Sequence, residues 1–191
     1  MKVGILAIQG DYEAHADAVK RAGGEPVLIR TRDELKNADA LILPGGESST
    51  QLQFLEEEGL DKAIERFSRE KKPIFGTCAG AILLAQRVKN PVQDSLGLAE
   101  ISVVRNAYGR QLSSEVRSEE SKISDAPLEM VFIRAPVIEK TGPGVEILAE
   151  SAGKPVLVRQ KNILIATFHP ELSPDSTVHE YFLKMARNGH H

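Results

Sequence analysis

Residues 73–80 read Pro-Ile-Phe-Gly-Thr-Cys-Ala-Gly, and they contain the clearest structural signal of the chain. The apolar residues 73–75 predict a buried strand, and the apolar face of residues 79–88 predicts a helix packed on a sheet. Between them, residues 76–80 match the Gly-x-nucleophile-x-Gly elbow, a sharp turn from a strand into a helix. A turn of this kind predicts an α/β fold with its central residue at one edge of the sheet.

Cys78 stands at the centre of this turn, where a strained backbone pushes the side chain outward. The free N–H groups and the positive dipole at the start of the next helix favour the nucleophilic thiolate. The N–H of Ala79 would then face an oxyanion formed on a bound substrate. The alternative is that Cys78 is a small residue of the buried core, and the elbow alone leaves both interpretations open.

Outward from the elbow, apolar runs alternate with helical patterns, which is typical of a wound parallel sheet covered on both faces. The strands predicted in the first half of the chain are residues 2–8, 26–29, 40–43 and 73–75. The helices predicted there are residues 12–22 and 48–67, the second interrupted at Gly59.

After about residue 98 the pattern becomes β-rich. The strands predicted there are residues 101–105, 114–117, 130–134, 145–150, 156–159 and 163–167, with turns at 152–154 and 160–162, an exposed loop at 118–126 and a last helix at 177–187. We therefore predict a single three-layer α/β/α domain over residues 1–189, with a mostly parallel wound sheet and an antiparallel β extension.

The second chemical signal is Phe-His-Pro-Glu at residues 168–171, directly after the last predicted strand. Pro170 disfavours the α conformation at His169, so we expect an extended segment in which Glu171 and His169 point to the same side. A carboxylate bonded to one ring nitrogen fixes the tautomer and leaves the other nitrogen to exchange a proton with a thiol. Because parallel strands gather their carboxyl ends at one edge, we expect this pair beside Cys78, whereas alone it would indicate a surface turn.

The third signal is the loop Leu-Pro-Gly-Gly-Glu-Ser-Ser at residues 43–49, which also follows a predicted strand. Its paired glycines permit close approach of the backbone to a ligand, and their N–H groups can form an anion-binding concavity. We also expect Ser48 or Ser49 to cap the next helix. The spacing fits neither the dinucleotide nor the phosphate-binding glycine pattern.

The composition argues against several classes of protein. With 24 Lys and Arg against 27 Asp and Glu, the net charge of -3 argues against nucleic-acid binding. The longest uncharged run, residues 73–86, is shorter than the ~20 apolar residues of a membrane helix. The start of the chain lacks the long apolar segment of a secretion signal, and the single cysteine cannot form an intrachain disulfide. We therefore expect the protein to lie in the cytoplasm.

We expect no cofactor. We expect no metal either, because no His/Cys ligand spacing is present once His190 and His191 are set aside as possible tag residues.

Together these motifs resemble the triad (class I) glutamine amidotransferases, whose flavodoxin-like domain carries Cys, His and Glu in this chain order. The detailed similarity is to the glutaminase subunits of pyridoxal 5'-phosphate synthases, and it extends along the whole chain. The matching segments are residues 2–10 with His15, 41–48, 76–80, 105–111 (Arg-Asn-Ala-Tyr-Gly-Arg-Gln), 132–136 (Phe-Ile-Arg-Ala-Pro) and 168–172. The segments 105–111 and 132–136 point to this particular group.

The resemblance implies a role for each matching residue. Cys78 would attack the side-chain amide of glutamine, His169 would transfer protons, and Glu171 would orient His169. The N–H groups of Gly46 and Ala79 would form the oxyanion hole. The glutamine-binding residues implied in the same way are Gly46, Glu47, Ser48, Arg105, Ile133 and Arg134.

The resemblance also implies a partner, a (β/α)8 synthase subunit in a large hetero-oligomer that receives the ammonia for the synthesis of pyridoxal 5'-phosphate (vitamin B6). Gln9, Gly10 and the first helix would lie near that contact, although His15 fits an ordinary exposed helix position equally well. Three alternatives remain: the glutaminase of another amidotransferase such as the histidine-pathway enzyme, a cysteine hydrolase related to the intracellular peptidases, and a non-catalytic binding module on the same fold. We expect neither nucleic acid nor membrane as a partner.

Overall fold

A computed structural model describes residues 1–107 and 114–188 of the chain. The helices are α1 (Tyr12–Arg21), α2 (Arg32–Lys36), α3 (Ser48–Glu57), α4 (Leu60–Arg69), α5 (Ala79–Leu84) and α6 (Thr177–Asn188). The strands are β1 (Lys2–Leu6), β2 (Glu25–Ile29), β3 (Ala40–Leu43), β4 (Ile74–Thr77), β5 (Ala85–Lys89), β6 (Ala99–Val104), β7 (Ser114–Ser121), β8 (Ser124–Ile133), β9 (Val137–Thr141), β10 (Glu146–Ser151), β11 (Lys154–Gln160) and β12 (Ile163–Ala166). A 3-10 helix covers Pro170–Leu172.

Nine strands form the main sheet in the order β2-β1-β3-β4-β12-β11-β10-β7-β8. The first five pair in parallel, and the other four continue the sheet in antiparallel pairing. At the centre, Leu43 pairs with Gly76 and Ala166 pairs with Thr77. The carboxyl ends of β3, β4 and β12 therefore meet at one edge, where wound α/β sheets bind their ligands.

Two apolar clusters cover the two faces of this sheet. Phe75 packs with residues of α1 and α6, including Val19 and Phe182. Its neighbour Ile74 packs on the opposite face with residues of α3, α4 and α5. This alternation follows from the side-chain period of a strand and confirms the predicted three-layer α/β/α architecture with an antiparallel extension.

The prediction of one helix over residues 79–88 was wrong. The helix α5 ends at Leu84, and the backbone of Ala85 is extended with ψ 144°. Residues from Ala85 onward form β5, which pairs in parallel with β6 in a second, three-stranded sheet. Because every residue of α5 is buried, its apolar residues carry no helical period that could mark the end of the helix.

The exposed loop predicted at residues 118–126 was also wrong. These residues lie in the β7–β8 hairpin, where Ser118 pairs with Glu129 and Ser121 with Ser124. All eight residues of β7 are exposed or half-buried, so the sequence lacks the apolar alternation that marks a strand. The predicted turns at 152–154 and 160–162 do join antiparallel strands, and Gly59, with φ 64°, does separate α3 from α4.

The elbow depends on the absence of side chains at its glycines. A Cβ atom at Gly80 would overlap the carbonyl oxygen of Leu43, and one at Gly76 would lie 2.6 Å from the carbonyl oxygen of Gly80. The helix α5 therefore crosses the ends of β3 and β4 at a distance that only glycine permits. None of the helices in the described ranges has the length and apolar character needed to cross a membrane.

We predict that Gly80→Ala lowers the free energy of unfolding by at least about 3 kcal/mol, because a backbone carbonyl cannot move aside. Gly144→Ala is the matched control, since its new Cβ would meet only side-chain ends, the amide nitrogen of Gln160 at 3.2 Å and Oε2 of Glu100 at 3.8 Å. We expect the control to cost less than about 1 kcal/mol. Urea unfolding of both variants measures the difference, and equal losses would contradict this account of the elbow.

Candidate active site

Cys78 lies at the turn between β4 and α5, as the elbow motif predicts. Its backbone is strained, with φ 49° and ψ -103°, and its N–H donates to the carbonyl oxygen of Ala166 at 3.0 Å. The side chain is largely buried, with 8% exposed. Because α5 begins at Ala79, the sulfur stands at a helix N-terminus, where the dipole favours an anion.

His169 follows β12 and is fixed by contacts on its backbone and its ring. Its N–H donates to the carbonyl oxygen of Val131 at 2.8 Å, and its Nδ1 lies 2.7 Å from Oε1 of Glu171. Burial alone would lower the pKa of His169, but the interactions of the protonated ring with Cys78 and with the Glu171 carboxylate outweigh it and raise the pKa to about 10. The imidazole and the carboxylate therefore form a hydrogen-bonded pair, and Cys78 lies close enough to the ring to raise its pKa.

The predicted extended conformation beyond His169 was wrong, although the predicted pairing with Glu171 is present. The chain turns into the 3-10 helix Pro170–Leu172, with Pro170 as its first residue. Proline suits the first helical position because its φ is fixed and its missing N–H is not needed there. The turn brings the Glu171 carboxylate back to Nδ1 of the ring.

The glycine loop after β3 closes the site on a third side. A Cβ atom at Gly45 would lie 2.7 Å from Cε1 of His169 and 3.6 Å from Cβ of Cys78. A side chain at Gly45 would thus occupy the space beside the imidazole and the sulfur. The next residue, Gly46, has φ 141°, and the N–H of Glu47 donates to Oε1 of Gln9 at 2.9 Å.

Glu47, and not the predicted Ser48 or Ser49, caps α3. Its carboxylate accepts from the N–H of Ser49 at 3.2 Å and from that of Thr50 at 2.7 Å. The hydroxyl of Ser49, with further bonds from Thr50, outweighs partial burial and lowers the pKa of Glu47 to about 2. A Glu side chain reaches the free N–H groups of the first turn as Asp or Ser does, and its charge adds the favourable dipole term. Ser48 is buried and donates its hydroxyl to Oε1 of Gln93 at 3.0 Å.

Arg105 extends the site from the end of β6. Its Nη2 lies 2.9 Å from Oε1 of Glu47, so a guanidinium and a carboxylate form an ion pair at the end of the glycine loop. Such a pair offers a partner for each charge of a zwitterion. Of the segment 105–111 singled out above, residues 108–111 lie outside the described residues, as do His190 and His191.

Ile133, the last residue of β8, reaches the sulfur through its backbone, and Arg134 follows it in the chain. The carbonyl oxygen of Ile133 lies 3.9 Å from Sγ of Cys78, and Arg134 has a positive φ of 46°. Arginine rarely adopts this conformation, and backbone strain of this kind concentrates at functional sites. These contacts bring Cys78, His169, Glu171, the glycine loop and Ile133 together, and Arg105 joins them through Glu47.

Four residues near the site were missed or misjudged from the sequence. His15 does not occupy an exposed helix position; it is fully buried, with Nε2 3.3 Å from Oε2 of Glu171. Thr77 and His179, also fully buried, each lie 3.0 Å from a ring nitrogen of His15. The sequence did hold a signal for this cluster: His15 and His179 lie on the buried faces of α1 and α6, where ionisable side chains are rare.

Asp11 is the fourth such residue, with Oδ2 3.8 Å from Nδ1 of His169. Asp11, His169 and Glu171 present three ligand atoms within 4.8 Å of one another. Nδ1 of His169 already bonds Glu171, so it is not free to bind a metal. We therefore interpret the two carboxylates as groups that orient the imidazole of His169 and not as metal ligands.

A wound sheet that gathers thiol, imidazole and carboxylate at one edge, in the chain order Cys, His, Glu, defines a triad (class I) glutamine amidotransferase. The chain belongs to the SNO glutamine amidotransferase family, whose model matches residues 5–188. This confirms the resemblance found in the sequence and the expectation of an enzyme.

Similar proteins cover nearly the whole chain. The pyridoxal 5'-phosphate synthase subunit PdxT of Koribacter versatilis is 51% identical over 189 residues, which are 99% of this chain and 97% of that protein. The subunit of the same name from Thermotoga maritima is 46% identical over 188 residues, which are 98% of this chain and 100% of the relative. A crystal structure described as a glutamine amidotransferase has a TM-score of 0.91 and 44% identity, covering 97% of this chain and 98% of that one.

The buried histidines make stability depend on pH. Burial, then the charge of Arg21, lowers the pKa of His179 to about 3, so between pH 6.5 and 3 the unfolded chain binds a proton that the native protein excludes. The free energy of unfolding contributed by His179 is therefore complete above pH 6.5 and falls by up to about 1.4 kcal/mol per pH unit below it. We predict that in His179→Phe the free energy of unfolding falls less steeply below pH 6.5 than in the native protein, by up to about 1.4 kcal/mol per pH unit.

Urea unfolding of the native protein and the variant at pH 7, 6 and 5 measures the two slopes. The comparison is between slopes and not absolute stabilities, because the substitution also removes a hydrogen-bond partner of His15. Equal slopes would show that His179 is not held neutral in the native protein.

Proposed function

We propose that this chain hydrolyses L-glutamine to L-glutamate and ammonia with Cys78, His169 and Glu171, and delivers the ammonia to the synthase subunit of a pyridoxal 5'-phosphate synthase. The observation that carries the proposal is the convergence of three segments: a Cβ atom at Gly45 would lie 2.7 Å from Cε1 of His169 and 3.6 Å from Cβ of Cys78. On the far side of the ring, Nδ1 of His169 lies 2.7 Å from Oε1 of Glu171. Relatives at 46% and 51% identity that bear the name of this synthase support the choice of product.

The reaction begins at the sulfur of Cys78. The thiolate attacks the side-chain amide carbon of glutamine, and the amide oxygen becomes an oxyanion that the N–H groups of Gly46 and Ala79 would hold. Protonated His169 gives its proton to the amide nitrogen, the C–N bond breaks, and ammonia leaves. The product of this half-reaction is a thioester between Cys78 and the glutamyl group.

Water then completes the cycle. His169 takes a proton from the water as the oxygen attacks the thioester carbon, and the proton passes to the sulfur when the C–S bond breaks. Glutamate is released. Throughout, Glu171 on Nδ1 fixes the tautomer and stabilises the imidazolium, which agrees with the raised pKa of His169.

The charged pair in front of the glycine loop fits the amino-acid end of glutamine. Arg105 would bind the α-carboxylate, and Glu47, ionised because its pKa is near 2, would accept from the α-ammonium group. Backbone groups of Gly46, Ser48, Ile133 and Arg134 would position the side-chain amide.

Delivery of ammonia requires a partner, because near neutral pH free ammonia is mostly protonated and no longer nucleophilic. We propose that a (β/α)8 synthase subunit docks near Gln9, Gly10 and α1, within a large hetero-oligomer. Docking would complete the oxyanion hole by ordering the backbone at Gly45 and Gly46, and the hydrogen bond from the N–H of Glu47 to Gln9 supports such a link. The enzyme would act in the cytoplasm as a single domain over residues 1–189.

We predict that Cys78→Ala abolishes glutamate formation, measured with and without the synthase subunit, while far-UV circular dichroism stays unchanged. The native chain should be strongly activated by the synthase and should supply ammonia for pyridoxal 5'-phosphate in the same tube. A native chain that with its synthase forms no more glutamate than Cys78→Ala would refute the enzyme assignment, and full activity without the synthase would refute activation by docking.

We predict that Arg105→Gln raises KM for glutamine about 10- to 100-fold, since a hydrogen bond to a charged group contributes roughly 1.5–3 kcal/mol. We expect a smaller effect on kcat because the guanidinium does not touch the reacting amide. Lys89→Gln is the matched control, because it breaks an ion pair with Glu139 at the sheet surface and should leave KM unchanged. An unchanged KM in Arg105→Gln would remove Arg105 from the substrate site.

A further inference from the structure

Behind the carboxylate of Glu171 lies a line of buried polar side chains that the reaction above does not use. Oε2 of Glu171 faces Nε2 of His15 at 3.3 Å, and the same nitrogen lies 3.0 Å from Oγ1 of Thr77. Nδ1 of His15 lies 3.0 Å from Nε2 of His179. Glu171 is 4% exposed and the other three are fully buried, so the line runs from the active site into the layer between α1, α6 and the sheet.

Both histidines of this line are neutral at physiological pH. Burial, followed by the neighbouring His179 and His169, lowers the pKa of His15 well below its ordinary value. The titratable groups facing His15 are Glu171 and His169 from the segment after β12 and His179 from α6. Farther out, Arg21 acts on His179, and Asp11 lies beside His169.

A neutral imidazole has one N–H and one lone pair, so only two arrangements of His15 are available. With the proton on Nδ1, the lone pair of Nε2 would point at the carboxylate of Glu171, whose Oε2 lies 3.3 Å away and has no hydrogen-bond partner among the described residues. With the proton on Nε2, the N–H serves Thr77 and faces Oε2, while Nδ1 accepts from Nε2–H of His179. The second arrangement is favoured because it sets a donor against a buried anion.

We propose that His15 is a positioning residue of the glutaminase: its Nε2–H holds the second oxygen of Glu171 and thereby fixes the carboxylate that orients His169. His179 supports it by donating to Nδ1 of His15, which selects the required tautomer. This inference rests on the proposed function, since it concerns the same Cys78, His169 and Glu171.

The effect would be transmitted through the ionised state and orientation of Glu171. A buried carboxylate oxygen that loses the N–H facing it takes up a proton more readily, or turns toward another donor. In either case the anion opposite Nδ1 of His169 is weakened, and proton transfer at the sulfur becomes slower. Substrate binding uses other residues and should change little.

The test compares three variants of the chain, each assayed for glutamate with saturating synthase subunit from pH 5 to 9. His15→Phe keeps a ring of similar size without the N–H. His15→Gln restores an amide N–H near the position of Nε2. Val19→Ala, on the same buried face of α1 but outside the polar line, reports the effect of destabilising this helix alone.

We expect His15→Phe to lower kcat at least tenfold, with KM for glutamine changed less than threefold, and to move the acid limb of the kcat profile to higher pH by half a unit or more. His15→Gln should recover most of kcat and return the acid limb toward its native position. Val19→Ala should lower the melting temperature but leave kcat within twofold and the pH profile unchanged.

The proposal is overturned if His15→Phe retains native kcat and pH profile, if His15→Gln is as impaired as His15→Phe, or if Val19→Ala reproduces the kinetic defect. These results differ from a failure of the proposed function, in which the native protein itself forms no glutamate with its synthase. Should His15→Phe fail to fold, His179→Phe and His179→Gln serve in its place: the first removes the donor to Nδ1 of His15 and should lower kcat, and the second keeps an amide N–H there and should recover most of it. Equal kcat in the two variants, at comparable stability, would overturn the proposal.

Discussion

The parallel pairing of β3, β4 and β12 is the constraint on which the rest of the site depends. It aligns Leu43 with Gly76 and Ala166 with Thr77, so the residues after each strand emerge side by side. The hydrogen bond from the N–H of Cys78 to Ala166 extends this pairing into the elbow itself. His169 follows Ala166 by three positions, and the sheet register thereby sets the distance between sulfur and imidazole.

The sequence revealed the chemistry of the site more fully than its surroundings. Cys78, His169 and the glycine loop could be placed at one edge because each follows a short apolar run, and parallel strands share that edge. The helix over residues 79–88 could not be bounded, since wholly buried α5 shows no period and β5 exists only by pairing with β6. The cap at Glu47 was missed for a different reason: several polar side chains can satisfy the same N–H groups, and tertiary contacts decide among them.

Buried polarity was the hardest feature to predict. His15 lies on a helix whose other polar residues face solvent, and nothing local shows that α1 turns it toward Glu171 and His179. Burying polar side chains is costly unless they are paired, so a buried line of two imidazoles, a hydroxyl and a carboxylate is maintained only where it does something that apolar packing cannot. Its contact with Glu171 indicates that this function is to hold the carboxylate behind His169.

The most direct measurement of the central claim uses an analogue of glutamine in which a diazoketone replaces the side-chain amide, a group that alkylates an activated thiolate. The chain is treated with its synthase subunit present, digested and mapped by mass spectrometry. The account predicts one label per chain, on Cys78, and its suppression by excess glutamine. Labelling elsewhere, or labelling of Cys78 that glutamine does not suppress, would contradict the assembly of thiol, imidazole and carboxylate into a glutamine site.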